Sequence, residues 1–217
     1  MIKTGFDGFL FDMDGTLLHT LPDLMNTANH ALEKEGFPAR SYEEILSFVG
    51  NGALALVIQA VPDNATEEEV GRVFDNFKNM YAEFGFDQTR PFDGMEEVLA
   101  TLKSHGKKLG IMSNKFERGV KDVEDFYFSG VFDTSHGETK TIPRKPDPTG
   151  LITCAEEMGV SPEKCIYFGD SASDVMAAHN AGMYAVGVTW GYQPVERIKT
   201  SEPDALIDDP KDILSFL

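Results

Sequence analysis

Phe9-Leu10-Phe11-Asp12-Met13-Asp14-Gly15-Thr16-Leu17 decides how this chain is read. A short apolar run that ends in Asp and Gly is a buried strand stopping at a tight turn. In open α/β sheets, ligands bind outside the carboxyl ends of the strands. Asp12 and Asp14 stand two positions apart, so both side chains can face the same way if the chain is still extended there. Two acids at such a place can hold a hard cation, and one can attack phosphorus while the other handles a proton. The same Asp-Gly pair also closes strands that carry no chemistry, so the rest of the chain must decide.

Outward from this point, apolar runs alternate with helical patterns. Strands are expected near Gly8–Phe11, Lys108–Met112, Phe132–Thr134, Cys165–Phe168, Tyr184–Val188 and Ala205–Ile207. Helices are expected near Gly94–His105, Phe116–Tyr127, Thr149–Met158 and Ser173–Asn180. That alternation predicts βαβ units and an α/β, Rossmann-like core with a mostly parallel sheet. Residues 18–86 break it, reading as four helices with no convincing strand: Pro22–Glu35, Ser41–Phe48, Ala53–Val61 and Thr66–Phe84. Ser41 with Glu44, and Thr66 with Glu69, have capping-box spacing. The block is expected to be an inserted all-helical cap, with hinges at Leu17–Leu21 and Gly85–Pro91. Residues 1–17 and 87–217 then form the α/β core.

Composition excludes several functions. The 217 residues are 41% hydrophobic, which favours a packed core over disorder. The 36 acidic against 19 basic residues give a formal charge of −17. That argues against nucleic acid and anionic membrane surfaces as partners. A small anionic substrate stays open, because a bound dication and a few basic groups reverse the field locally. The only cysteines, Cys154 and Cys165, lack CxxC spacing and read as thiols of a reducing compartment. With no secretory leader pattern at the amino terminus and no long apolar span, a cytoplasmic protein is expected.

Three further strand ends carry polar groups. Ser113-Asn114-Lys115 follows Leu109-Gly110-Ile111-Met112, and a Ser there can donate to a phosphate oxygen or cap the next helix. Lys145 lies between Arg144 and Pro146 in a stiff loop, where its ammonium suits a phosphoryl oxygen or is merely solvated. Gly169-Asp170-Ser171-Ala172-Ser173-Asp174 ends another apolar run. Asp170 can reach the same cation as Asp12, and Asp174, one helical turn on, can orient the lysine or a metal-bound water. Oxygen-only donors favour Mg²⁺ over zinc.

Asp12-Met13-Asp14-Gly15-Thr16-Leu17, Ser113-Asn114-Lys115, Lys145-Pro146 and Gly169-Asp170 through Asp174 resemble the four motifs of the haloacid dehalogenase-like hydrolases. Within them the chain is most similar to phosphoglycolate phosphatases, through Leu21-Pro22-Asp23-Leu24, Phe48-Val49-Gly50-Asn51-Gly52-Ala53 and Val188-Thr189-Trp190-Gly191-Tyr192. The resemblance implies Asp12 as nucleophile and Asp14 as general acid and base. It implies phosphate binding by Ser113 and Lys145, flanked by Thr16 and Asn114. Mg²⁺ would be held by Asp12, the Asp14 carbonyl and Asp170, with Gly169 and Asp174 in support. It also makes the helical insertion a cap over the crevice, with Asn51 as candidate substrate contact. The chain departs from that group in having His19-Thr20 before Pro22 and Leu46 where an Arg often stands. A Mg²⁺-dependent phosphatase acting on a small phosphorylated metabolite, such as 2-phosphoglycolate, is therefore expected, as monomer or homodimer. A phosphomutase, a nucleotide or pyrophosphate hydrolase and a phospho-acceptor signalling module are the alternatives.

Overall fold

The computed structural model describes residues 3–84 and 86–217. Gly85, expected to begin the second hinge, lies outside the described residues. The chain starts with β1 (Gly8–Phe11) and β2 (Leu18–His19), followed by α1 (Leu21–Lys34), α2 (Tyr42–Phe48), α3 (Gly52–Ala60) and α4 (Glu67–Phe84). Next come β3 (Arg90–Pro91), α5 (Met95–Ser104), β4 (Lys108–Phe116), α6 (Glu117–Tyr127), β5 (Thr134–Glu138) and α7 (Thr149–Met158). The chain closes with β6 (Cys165–Gly169), α8 (Ala172–Asn180), β7 (Tyr184–Val188), α9 (Val195–Lys199) and β8 (Ala205–Ile207). Single 3-10 stretches cover Pro162–Lys164 and Pro210–Phe216.

Two compact units result, one of residues up to 18 together with 91–217, the other of residues 19–90. The first is an α/β unit on a six-stranded sheet in the order β5-β4-β1-β6-β7-β8, with every paired register parallel. The chain builds outward from β1 to β4 and β5, then returns to lay down β6, β7 and β8 on the other side. The strand order therefore reverses beside β1, and the carboxyl end of β1 is a topological switch point.

Buried strands of a parallel sheet are apolar on both faces, and alternation divides their side chains. Leu10, Met112, Tyr167 and Ala185 pack with Leu151, Cys154, Ala155, Val175 and Ala178 of α7 and α8. On the opposite face Phe9 and Phe11 stack against Phe168, which meets Phe216 edge-on. Each such side chain, wholly removed from water, contributes about 1.5–3 kcal/mol.

Four strands differ from expectation, β4 by running on to Phe116 and the others as follows. β5 begins at Thr134 rather than Phe132, and its sequence Thr134-Ser135-His136-Gly137-Glu138 is polar. It is an edge strand whose side chains find carboxylates on the neighbouring helices: Thr134 and His136 meet Glu157, and Ser135 meets Glu124. β2 and β3 form a separate two-stranded sheet where no strand was expected at Leu18–His19. Two residues are too few to show any periodicity.

The second unit is helical. Both expected capping boxes form. Glu44 N donates to Ser41 Oγ at 3.2 Å while Ser41 N donates to the Glu44 carboxylate at 2.8 Å. Thr66 and Glu69 repeat the exchange at 3.3 and 2.7 Å. The ends of the unit are joined by Asp23, in the first turn of α1. Its buried carboxylate accepts from Gln88 N at 3.0 Å and Thr89 N at 2.7 Å. Asp23→Ala strips two backbone donors of a charged acceptor and is expected to destabilise the protein by about 2–3 kcal/mol in denaturant melts. A loss below about 0.5 kcal/mol would show that water replaces the carboxylate.

Candidate active site

β1 pairs Phe11 with Ile111 of β4 and with Phe168 of β6, so β1 and β6 end side by side while β4 runs on to Phe116. Asp12 N still donates to Phe168 O at 2.9 Å, which holds Asp12 at the lip of the sheet. The chain then curls. Leu18 N returns to Met13 O at 3.0 Å, and Gly15 N donates to Leu18 O at 2.9 Å. Gly15 takes φ +90°, a left-handed conformation that a β-carbon resists, and a β-carbon there would also press on the Asp170 carboxylate. Thr16 is fully buried in this loop, and its carbonyl accepts from the Trp190 indole at 3.0 Å.

Lys145 is the hub of the crevice. Its buried ammonium lies 2.8 Å from Asp12 Oδ1 and 2.6 Å from Asp174 Oδ1. It also donates to Tyr167 Oη at 2.9 Å, while the Tyr167 hydroxyl donates to Met112 O at 2.7 Å. Asn114 Oδ1 accepts from Lys145 N at 2.8 Å and ties the lysine loop to β4. Burial opposes the lysine's charge, but Asp12 and Asp174 outweigh it and raise its pKa, so Lys145 is a firmly held cation.

Asp174 opens α8 and closes a capping box with Ser171. Its Oδ2 accepts from Ser171 N at 2.9 Å, and its Oδ1 faces Lys145 and the Tyr167 hydroxyl. Gly169 ends β6 beneath it, where a β-carbon would overlap the Asp174 side chain. Asp170 Oδ2 accepts from Tyr192 N at 2.6 Å.

One oxygen from each of Asp12, Asp170 and Asp174 lies within 4.8 Å of the others. This crowding has an electrostatic signature. Burial, then Asp174 and Asp14, push the Asp12 carboxyl up to about 6 against the pull of Lys145. Burial with Asp174 and Asp12 pushes Asp170 well above the ordinary carboxylate range.

Asp14 has its own cation. Lys115 Nζ donates to both Asp14 oxygens at 3.1 Å, with the lysine side chain only 3% exposed. Four carboxyl groups and two ammoniums thus occupy the crevice, a formal excess of two negative charges. An all-oxygen donor set with surplus negative charge fits a hard dication. Asp12 and Asp170 are the apt ligands, because both Asp174 oxygens are already committed to Lys145 and Ser171.

Of the residues expected at the site, Asp12, Asp14, Lys145, Gly169, Asp170 and Asp174 converge in this way. Ser113 is buried within β4, and its Oγ accepts from Lys115 N at 3.3 Å. The strand runs on through Ser113 to Phe116 instead of stopping at Met112, so Phe116 and not Ser113 is the N-cap residue ahead of α6. Asn51 belongs to the helical unit, exposed at the start of α3 after Gly50. Sequence reasoning did not single out Lys115 or Tyr167. Lys115 lies inside the Ser113-Asn114-Lys115 motif but was given no role there, whereas Tyr167 reads as an ordinary apolar position of a buried strand.

The haloacid dehalogenase-like hydrolase profile matches residues 9–188. A phosphoglycolate phosphatase of Haemophilus influenzae (strain 86-028NP) is 34% identical over all of both chains. A second, from Mannheimia succiniciproducens, is 34% identical over 95% of this chain and 96% of its own. The crystal structure of a predicted phosphoglycolate phosphatase from Haemophilus somnus 129PT superposes with a TM-score of 0.91 at 32% identity, covering 98% of each chain. This chain belongs to the haloacid dehalogenase-like hydrolases.

Proposed function

We propose that this protein is a Mg²⁺-dependent phosphatase that hydrolyses a small phosphomonoester, 2-phosphoglycolate first among candidates, through an aspartyl-phosphate. The observation that carries the reading is Asp12 at the switch point, 2.8 Å from the buried Lys145 and within 4.8 Å of Asp170. The full-length relatives named phosphoglycolate phosphatase support the choice of substrate. The free, buried thiols of Cys154 and Cys165 fit a reducing, cytoplasmic setting. Among the described residues no helix is long and apolar enough to cross a membrane.

Asp12 Oδ attacks phosphorus, and the bond from phosphorus to the leaving oxygen breaks. Asp14 passes its proton to that oxygen. Water then attacks the phosphorus of the acyl phosphate, Asp14 takes the water's proton, and Asp12 is freed with inorganic phosphate. Lys145 and the Ser113 hydroxyl stabilise charge on the phosphoryl oxygens. Asp174 and Tyr167 fix the lysine. Mg²⁺ would be held by Asp12, Asp170 and the Asp14 carbonyl, and when bound it offsets the charge of the phosphoryl group.

A phosphate-release screen with Mg²⁺ over 2-phosphoglycolate, sugar phosphates, nucleotides and pyrophosphate tests the proposal. The expected result is preferential release from 2-phosphoglycolate. Isomerised sugar phosphates without free phosphate would replace the reading by a mutase. Asp170→Asn separates metal from fold. The amide keeps an acceptor for Tyr192 N and removes one of the crowded charges. We expect activity to vanish and the Mg²⁺-induced rise in melting temperature to disappear, with a metal-free melting temperature at or above the parent's. A parental Mg²⁺ shift in that variant would remove Asp170 from the metal site.

A further inference from the structure

Lys115 has no part in the chemistry above, yet its geometry is specific. It is a second buried ammonium, on β4, set against the carboxylate of Asp14, 101 residues earlier in the chain. The contact is even: 3.1 Å to each oxygen. A single ammonium seated on both oxygens resists rotation of the carboxylate in either direction. Lys115 is anchored in turn, because β4 continues as a strand to Phe116 and Lys115 N donates to Ser113 Oγ at 3.3 Å. Asp14 keeps a partly exposed edge, with 16% of its side chain open. The carboxylate is therefore clamped from the protein side and left open on the other. Holding a long lysine in one conformation costs side-chain entropy. The fold tolerates that cost at a carboxylate whose orientation decides proton transfer.

We infer that Lys115 is a positioning residue that fixes the Asp14 carboxylate in the orientation needed to serve the leaving oxygen. The inference rests on the proton-transfer role of Asp14 proposed above. A misplacement of about 1 Å at a reacting group lowers rates by about 10²-fold. That loss must depend on how much the leaving group needs a proton. Phenyl phosphate needs it far more than p-nitrophenyl phosphate, whose leaving group departs as a stable anion.

The test is a double-mutant cycle of Lys115→Met and Asp14→Asn, read as kcat/KM on both esters with Mg²⁺ present. Lys115→Met should lower kcat/KM for phenyl phosphate by about 10²-fold and that for p-nitrophenyl phosphate by only a few fold. In the Asp14→Asn background the same change should cost nothing further. Lys115→Arg, which keeps the charge, should recover part of the loss and also serves if the methionine variant folds poorly. Equal losses on both esters, or losses that simply add in the double variant, would overturn the assignment. If Asp14→Asn alone slows both esters equally, the proton-transfer role of Asp14 fails first, a result distinct from failure of Lys115.

Discussion

Asp12→Asn is expected to abolish hydrolysis of p-nitrophenyl phosphate, with kcat reduced by at least about 10⁴-fold. The amide oxygen is a poor nucleophile and cannot form the acyl phosphate. The same change removes one of the buried carboxylates that crowd Asp170 and Asp174, and Lys145 retains Asp174 at 2.6 Å. The variant is therefore expected to fold with a melting temperature at or above the parent's. A rapid acid quench during turnover should trap covalent phosphate on the parent and none on the variant. Retained turnover would reject Asp12 as nucleophile and with it the aspartyl-phosphate route.

Lys145→Met is the second large effect, and it strikes activity and stability together. The substitution keeps the apolar stem but strips Asp12 and Asp174 of their shared cation. Breaking a buried ion pair from one side costs about 3–5 kcal/mol, because it strands uncompensated charge. For a chain of this size each kcal/mol moves the melting temperature by about 2–4 °C, so a fall near 10 °C is expected without Mg²⁺. The raised lysine pKa means this contribution is present at neutral pH and persists until strongly alkaline conditions. Activity should fall by about 10²–10³-fold, the scale of losing one preorganised electrostatic group. A parental rate would remove Lys145 from the chemistry, and a parental melting temperature would show that the ion pairs add no net stability.

Much of this was legible in the chain because strand ends in α/β proteins announce themselves. Phe9-Leu10-Phe11 before Asp12, and Ile166-Tyr167-Phe168 before Asp170, are apolar runs that stop abruptly at acids, and β1 and β6 end as those runs do. The helices of the inserted segment were equally readable, since Ser41 with Glu44 and Thr66 with Glu69 are local interactions. What stayed hidden depends on distant partners. β5 is a strand because Glu124 and Glu157 satisfy its polar side chains, and no pattern within Thr134–Glu138 reveals that. β4 overruns its apolar segment into Ser113-Asn114-Lys115, where its polar groups engage Asp14 and the Lys145 backbone. Tyr167 looks like filler until Lys145 arrives from the loop before α7.

The Asp23 clasp has a practical consequence for protein engineering. Because this carboxylate grips the amides of Gln88 and Thr89, the entry and exit of the 19–90 segment are fastened within the segment itself. Such a piece has the makings of a transplantable cassette. It could be expressed alone, circularly permuted at its joined ends, or exchanged for a foreign helical module bearing the same closing acid, while the parallel sheet keeps its register.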